Sequence, residues 1–369
     1  MFATMYSTQA ILPVLSKDFD VSPSTAGLTV SAVVLAIAVG AWIWGPVSDR
    51  IGRRRSLILA SSLLVIPTVA AGLAPTFGAL VLCRALQGLC MPGLLTVGVP
   101  YVAEAFAPRI GGRAMGFYVS ALVVGGLIGR VGVALVTALV GWRLAIGGLA
   151  VLPAAGAVLM ARTLPAVAPP VRGGGGLAAV TRQLRNTELL RAAAAGSALL
   201  FAFVGTFSYV SFRLEGPPFG FGPVAGSIVF LLWILGGVGP FAGRLGDWYG
   251  WRRVTTAALC SASVGVLLTL PAVLPTLVVA LALITVSVFT GVTNAQIGVS
   301  AATDVDRGVA SALYFSCYYL AGALAGYVPG LAWQRWGWPG VTAVTMTALG
   351  LAVAASLPGL GRRPSGRRG

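Results

Sequence analysis

The chain is a succession of apolar stretches of about 20 residues, each ended by a short turn carrying charge, proline or glycine. Nothing else in the sequence constrains the fold as strongly. A backbone in hydrocarbon must satisfy its own hydrogen bonds, and a stretch of that length does so as a helix. Only 9% of the residues are charged and 57% are apolar, whereas a domain surrounded by water carries about 25% charged residues. Most of the outer surface must therefore face lipid.

Breaking the chain at its polar turns gives twelve spans at about 1–16, 25–47, 56–74, 77–103, 113–138, 143–162, 190–212, 223–243, 253–271, 275–299, 308–331 and 338–358, numbered 1 to 12 below. Residues 163–189 differ from the rest. They hold Pro165, Pro169, Pro170 and Gly173–Gly176, then Arg182, Arg185 and Glu188, which reads as a solvated linker. A short surface helix from Leu177 to Leu190 is expected within it. The organisation is thus an N-terminal bundle at 1–162, the linker at 163–189, a C-terminal bundle at 190–358 and a basic tail at 359–369.

The net charge of +16 does not form a nucleic-acid surface, because the arginines stand in small clusters between apolar runs. Nineteen of the 25 basic residues fall on one side, four (Lys17, Arg143, Arg213 and Arg335) on the other, and Arg84 and Arg130 lie inside spans. The positive-inside rule makes the heavy side and the C-terminus cytoplasmic, in a multi-pass protein of the cytoplasmic (inner) membrane. Span 1 has about 15 residues before Lys17, roughly 23 Å of helix against about 30 Å of hydrocarbon. Met1 is therefore expected to be an internal methionine.

Cys83, Cys90, Cys260 and Cys317 lie in apolar runs without metal or redox spacing. Histidine is absent, which removes the commonest metal ligand and proton shuttle. No cofactor, metal, P-loop or nucleophile–base pair is indicated, and no enzyme activity is expected.

An internal repeat runs through the chain. Gly45-Pro46-Val47-Ser48-Asp49-Arg50-Ile51-Gly52-Arg53-Arg54-Arg55 lies between spans 2 and 3, and Gly243-Arg244-Leu245-Gly246-Asp247-Trp248-Tyr249-Gly250-Trp251-Arg252-Arg253 between spans 8 and 9, an offset of 198. Gly125 and Gly129 match Gly322 and Gly326 at 197, Gly141-Trp142 matches Gly337-Trp338 at 196, and Glu104 matches Asp304 at 200. Two parallel halves of this kind suit alternating access. Gly45 and Gly243 are expected to allow close helix approach, and Gly52 and Gly250 a tight turn. Asp49 and Asp247 at the membrane edge need cationic partners, of which Arg53 and Arg252 are nearest, with Glu104 and Asp304 completing the clusters.

At these residues the sequence resembles the major facilitator superfamily, whose signature loop reads G-x-L-a-D-r-x-G-r-[rk]-r. The resemblance implies an all-α integral membrane fold of twelve helices in two pseudo-symmetric six-helix bundles. It implies that the two loop clusters latch the cytoplasmic side shut, and that the chain is a secondary transporter working by alternating access. Arg84, Gln87 and Gly88 in span 4 are similar to the R-x-x-q-G pattern of the superfamily's proton-coupled members, which implies proton-coupled efflux. Span 5 departs from the drug antiporters: no proline follows Gly125, and Arg130 appears.

Arg84 and Arg130 lie at one depth, roughly 10–12 Å below the outer surface at 1.5 Å per residue. No Asp or Glu falls mid-membrane in the sequence reading. Two such cations either face the central cavity and meet an anionic substrate group, or bond backbone carbonyls or snorkel outward. By the repeat offset Arg130 corresponds to Tyr327. Tyr318 and Asn294 either line the cavity or serve as an interfacial anchor and a helix–helix bond, and Gln9 in span 1 lies at similar depth. The expected partners are a small solute, protons and the bilayer, with no nucleic acid, for a monomer. Uptake of a sugar or organic anion, or a non-transporting sensor of the same fold, are the alternatives.

Overall fold

The computed structural model describes residues 1–165, 177–303 and 305–356, without the side chains of 103, 104, 106–116, 119, 177, 240 and 307. Every regular element among them is helical. Among the described residues eight helices are long and apolar enough to cross a bilayer, and Pro223–Val238 with Phe241–Tyr249 adds a ninth as one broken span. The helix Arg307–Ser356 holds two passes, divided at Gly337, whose φ of 59° and ψ of −145° are not helical. Trp251–Leu268 and the short pieces between Phe2 and Asp18 supply the remaining passes of the twelve.

Span 1 is broken where the sequence suggested one helix. Phe2–Met5 is α-helical, Gln9–Ile11 is a 3-10 turn, and Leu12–Asp18 is α-helical again. Pro13 explains the second break: it has no N–H for the Gln9 carbonyl four residues back, and its ring crowds that oxygen. The carbonyl of Gln9 instead accepts from Ser211 Oγ at 3.3 Å. Polar side chains in the same stretch offer further local partners, with Ser7 Oγ donating to Thr4 O at 2.9 Å.

The repeat reappears in the backbone. Gly52 ends Pro23–Ile51 at φ 84°, ψ 152°, and Gly250 ends Gly239–Tyr249 at φ 85°, ψ 136°. That left-handed conformation is open to glycine and strained for other residues. Both signature loops therefore turn in the same way.

Contact density divides the chain into two compact units. The first is Met1–Gly174 with Val204–Gly237 and Gly322–Val341, and the second is Gly175–Phe203 with Val238–Ala321 and Thr342–Gly369. In the second unit the expected surface helix covers only Leu177–Leu184. Asn186 interrupts it and caps the next helix, Thr187–Glu215, accepting from the N–H groups of Glu188 and Leu189 at 3.2 and 3.3 Å. The short helix is tied to the loop beyond span 10. Gln183 Nε2 donates to Val305 O at 3.1 Å, Asn186 Nδ2 to Ala302 O at 2.9 Å, and Arg182 pairs with Asp306 at 3.4 Å.

Candidate functional site

Both arginines inside spans belong to the first unit, are fully buried, and reach the broken stretch of span 1. Arg84 lies on the helix Phe77–Cys90. Its Nε donates to Thr29 O at 3.0 Å, its Nη1 to Thr4 O at 2.7 Å, and its Nη2 to Met5 O at 2.5 Å. Nη1 also meets Gln87 Oε1 at 2.6 Å and Ser7 Oγ at 3.2 Å. Gln87 in turn donates to Thr68 Oγ1 at 3.1 Å. A buried carbonyl released from a helix must find another donor, and the break in span 1 releases carbonyls beside Arg84. Of the two arrangements open for this residue, bonding to backbone carbonyls is the one found. Every nitrogen of the guanidinium has an acceptor, and Gln87 is one of those partners.

Arg130 is placed differently. It lies on a π-helical turn, Ile128–Gly132, within span 5; such turns insert a residue and re-aim a side chain, often at functional sites. Its Nε donates to Gln9 Oε1 at 2.8 Å and its Nη1 to Gly126 O at 3.2 Å. Nη2 has no hydrogen-bond acceptor among the described residues. The guanidinium carbon stands 3.8 Å from the centre of the Tyr6 ring, 4.2 Å from Trp233 and 5.7 Å from Phe230. Each desolvated contact of this type contributes about 0.5–2 kcal/mol. Gln9 is itself buried, and its Nε2 donates to Ser208 Oγ at 3.1 Å. No carboxylate contacts Arg84 or Arg130 among the described residues.

The remaining candidates are scattered. Tyr327 is 36% exposed, and no hydrogen bond or ring contact joins it to Arg130. Tyr318 belongs to the second unit and stacks on Tyr314 at 5.7 Å and 20°. Asn294 is buried there and donates to Ala242 O and Thr290 O, both at 2.9 Å, so its amide ties span 10 to span 8. Tyr6, Ser208, Phe230 and Trp233 were not singled out from the sequence; a tryptophan at the middle of span 8 is the signal that could have found them.

In the signature loops, Asp49 and Asp247 are exposed, and Arg53 and Arg252 are partly buried. Arg252 pairs with Glu188 at 2.6 Å, and Arg191 with the same carboxylate at 3.2 Å. Glu188, in the first turn of the helix Thr187–Glu215, is thus a carboxylate partner of Arg252 that the sequence did not single out. The Glu104 side chain and the whole of Asp304 lie outside the described residues. Close approach at Gly45 and Gly243 is corrected: a Cβ on either would meet no described atom within 4 Å. The tight crossing in the second loop is made by Gly246, where a Cβ would strike Asn294 Oδ1.

At the arginine-poor ends of spans 2, 7 and 11 the first unit is closely packed. A Cβ at Gly27 would overlap the Gly326 carbonyl oxygen, and one at Gly330 the Tyr209 hydroxyl. Tyr209 Oη donates to Gly326 O at 2.6 Å, Ser31 Oγ to Ala323 O at 2.6 Å, and Gln334 Nε2 to Ser24 Oγ at 2.7 Å. Lys17 and Glu215 form an ion pair above them. Exposed as it is, that pair contributes about 0–1 kcal/mol, so the backbone crossing, with its buried hydrogen bonds, dominates the packing.

Gly126 allows Trp233 to reach Arg130. A Cβ there would stand 2.8 Å from Trp233 Nε1 and 3.2 Å from Arg130 Nη1. Gly126→Ala is expected to push the indole off the guanidinium. The loss is about 1–3 kcal/mol of stability, read as a lower unfolding temperature together with a red-shifted tryptophan emission.

A sequence model of the Major Facilitator Superfamily matches residues 1–326. The Uncharacterized MFS-type transporter YybF of Bacillus subtilis (strain 168) is 29% identical over 371 residues, covering 97% of this chain and 89% of that one. The Inner membrane transport protein YnfM of Escherichia coli (strain K12) is 28% identical over 371 residues, covering 95% and 86%. Among solved structures, a bacterial homolog to the human lysosomal transporter Spinster, in an inward-facing and occupied conformation, superposes with a TM-score of 0.76 over 97% of this chain and 93% of that one, at 16% identity. With the duplicated twelve-span architecture, these matches place the chain in the Major Facilitator Superfamily of multi-pass membrane transporters.

Proposed function

We propose that this transporter carries a small solute with an anionic group, taken by Arg130, and exports it in exchange for protons. One observation carries the reading: Arg130 is a fully buried cation with no carboxylate beside it and with one nitrogen free of any acceptor among the described residues. A buried charge without a counter-ion is costly in a membrane interior, and an anionic solute supplies the counter-ion for part of each cycle. The similarity of Arg84, Gln87 and Gly88 to the pattern of proton-coupled members supports the coupling. The close packing across spans 2, 7 and 11 then serves as the seal of an outer gate. The clusters of Asp49, Arg53 and Glu104 and of Asp247, Arg252 and Asp304 serve as cytoplasmic latches between the 1–162 and 190–358 bundles.

Everted membrane vesicles with an imposed pH gradient test this. Organic anions are expected to dissipate the gradient saturably, and Arg130→Gln to remove the response. Dissipation by sugars or cationic dyes but not by anions, or an undiminished response in Arg130→Gln, contradicts the proposal.

A further inference from the structure

We infer that the solute is a flat aromatic acid, its carboxylate on Arg130 and its ring against Tyr6 and Trp233. The inference rests on the anion reading above and adds the chemistry of the group that carries the charge.

Phe2, Tyr6 and Trp233 form one aromatic cluster, with ring centres 5.8 Å apart for Phe2–Tyr6, 6.3 Å for Phe2–Trp233 and 5.5 Å for Tyr6–Trp233. Phe230, itself 5.8 Å from Phe207, closes in on the guanidinium from span 8. Distances of 3.8 and 4.2 Å from the guanidinium carbon to the ring centres of Tyr6 and Trp233 put that group against ring faces, since an edge approach would be longer. Tyr6 and Trp233 are buried, and both belong to the same compact unit as Arg130. Beside the Gln9 and Gly126 oxygens, the surroundings of this cation are thus aromatic rings.

A carboxylate bound on the fork of a guanidinium lies in the guanidinium plane. An aryl acid is conjugated through its carboxyl carbon, so its ring keeps that plane. Since Tyr6 and Trp233 are tilted 59° to each other, it can lie against the face of one and meet the other at its edge, and both are favourable aromatic geometries. A saturated ring of equal carbon number is puckered and loses that stacking. The site therefore selects flatness as well as charge, and the missing Cβ at Gly126 is what admits Trp233 to it.

Calorimetric titration of the purified full chain in lipid nanodiscs, with benzoate and cyclohexanecarboxylate as probes, tests this. Benzoate is expected to bind about tenfold more tightly, the scale of one aromatic contact. Trp233→Leu and, separately, Tyr6→Leu are expected to bring the two affinities together while both acids still bind. Arg130→Gln is expected to remove both. Equal affinities in the unaltered protein overturn the aromatic class and leave the anion reading standing. Binding of neither acid, or binding of both undiminished in Arg130→Gln, overturns the anion reading and this inference with it.

Discussion

Replacing Arg84 by alanine will abolish transport and destabilise the protein by about 1–3 kcal/mol, the range for leaving a buried hydrogen-bonding group without its partner. The carbonyls of Thr4, Met5 and Thr29 all accept from this one side chain. Without it Thr4 O keeps Ser7 Oγ and Thr29 O its place in the helix Pro23–Ile51, but Met5 O loses its Arg84 donor, and a buried group left without its partner costs about 1–3 kcal/mol. Span 1 is broken at both Tyr6–Thr8 and Gln9–Ile11, so its first turn is held by contacts to other spans, those of Arg84 and of the Phe2–Tyr6–Trp233 rings. The turn carries Tyr6, and its displacement removes one wall of the Arg130 site. Arg84→Lys keeps the charge but is a compact point donor without the planar fork, and an intermediate loss is expected. Thermal unfolding of the purified variants, measured beside their transport rates, checks both points. An alanine variant with unchanged unfolding temperature and transport would contradict the role assigned here.

Gly326→Leu is expected to hold the outer side open. A Cβ at that position would stand 2.9 Å from the Ser31 backbone nitrogen and 3.0 Å from the Gly27 carbonyl oxygen. A leucine would also displace the Tyr209 and Ser31 hydrogen bonds. Overpacking of this kind costs about 1–3 kcal/mol, which moves a two-state equilibrium about 5–150-fold. Because the cost falls only on the sealed state, the population shifts toward the open one. A Ser24→Cys reporter, buried beneath Gln334 in the seal, should then react with an external membrane-impermeant maleimide faster by a factor in that range, and transport should fall. Unchanged labelling with normal transport would mean that the Gly27–Gly326 crossing is no gate.

Much of the architecture was legible because lipid imposes a length on each span and charge marks its ends. Gly52 and Gly250 were readable as turns, and their matching left-handed backbones follow from their place in a duplicated loop. Arg84 and Arg130 stood out because a cation in an apolar run is rare, and both reach the same segment of span 1. What each arginine does was not legible. That depended on the helix break after Met5 and a π-helical turn at Ile128–Gly132, local backbone events that periodicity does not record. The polar run Thr4, Ser7, Thr8 and Gln9 was the available hint, since so many hydroxyls and an amide in one span need partners. Pairing between distant spans was also hidden. Trp233 meets Arg130, and Glu188 meets Arg252, across more than sixty residues of chain.

Counterflow of a radiolabelled aryl carboxylate into proteoliposomes, with the unaltered protein and with Arg130→Gln, bears most directly on the claim that this transporter moves an anion on a buried arginine. Saturable uptake against preloaded unlabelled acid, lost in Arg130→Gln while the variant unfolds at a normal temperature, is the predicted result. Equal counterflow by the two proteins would contradict it.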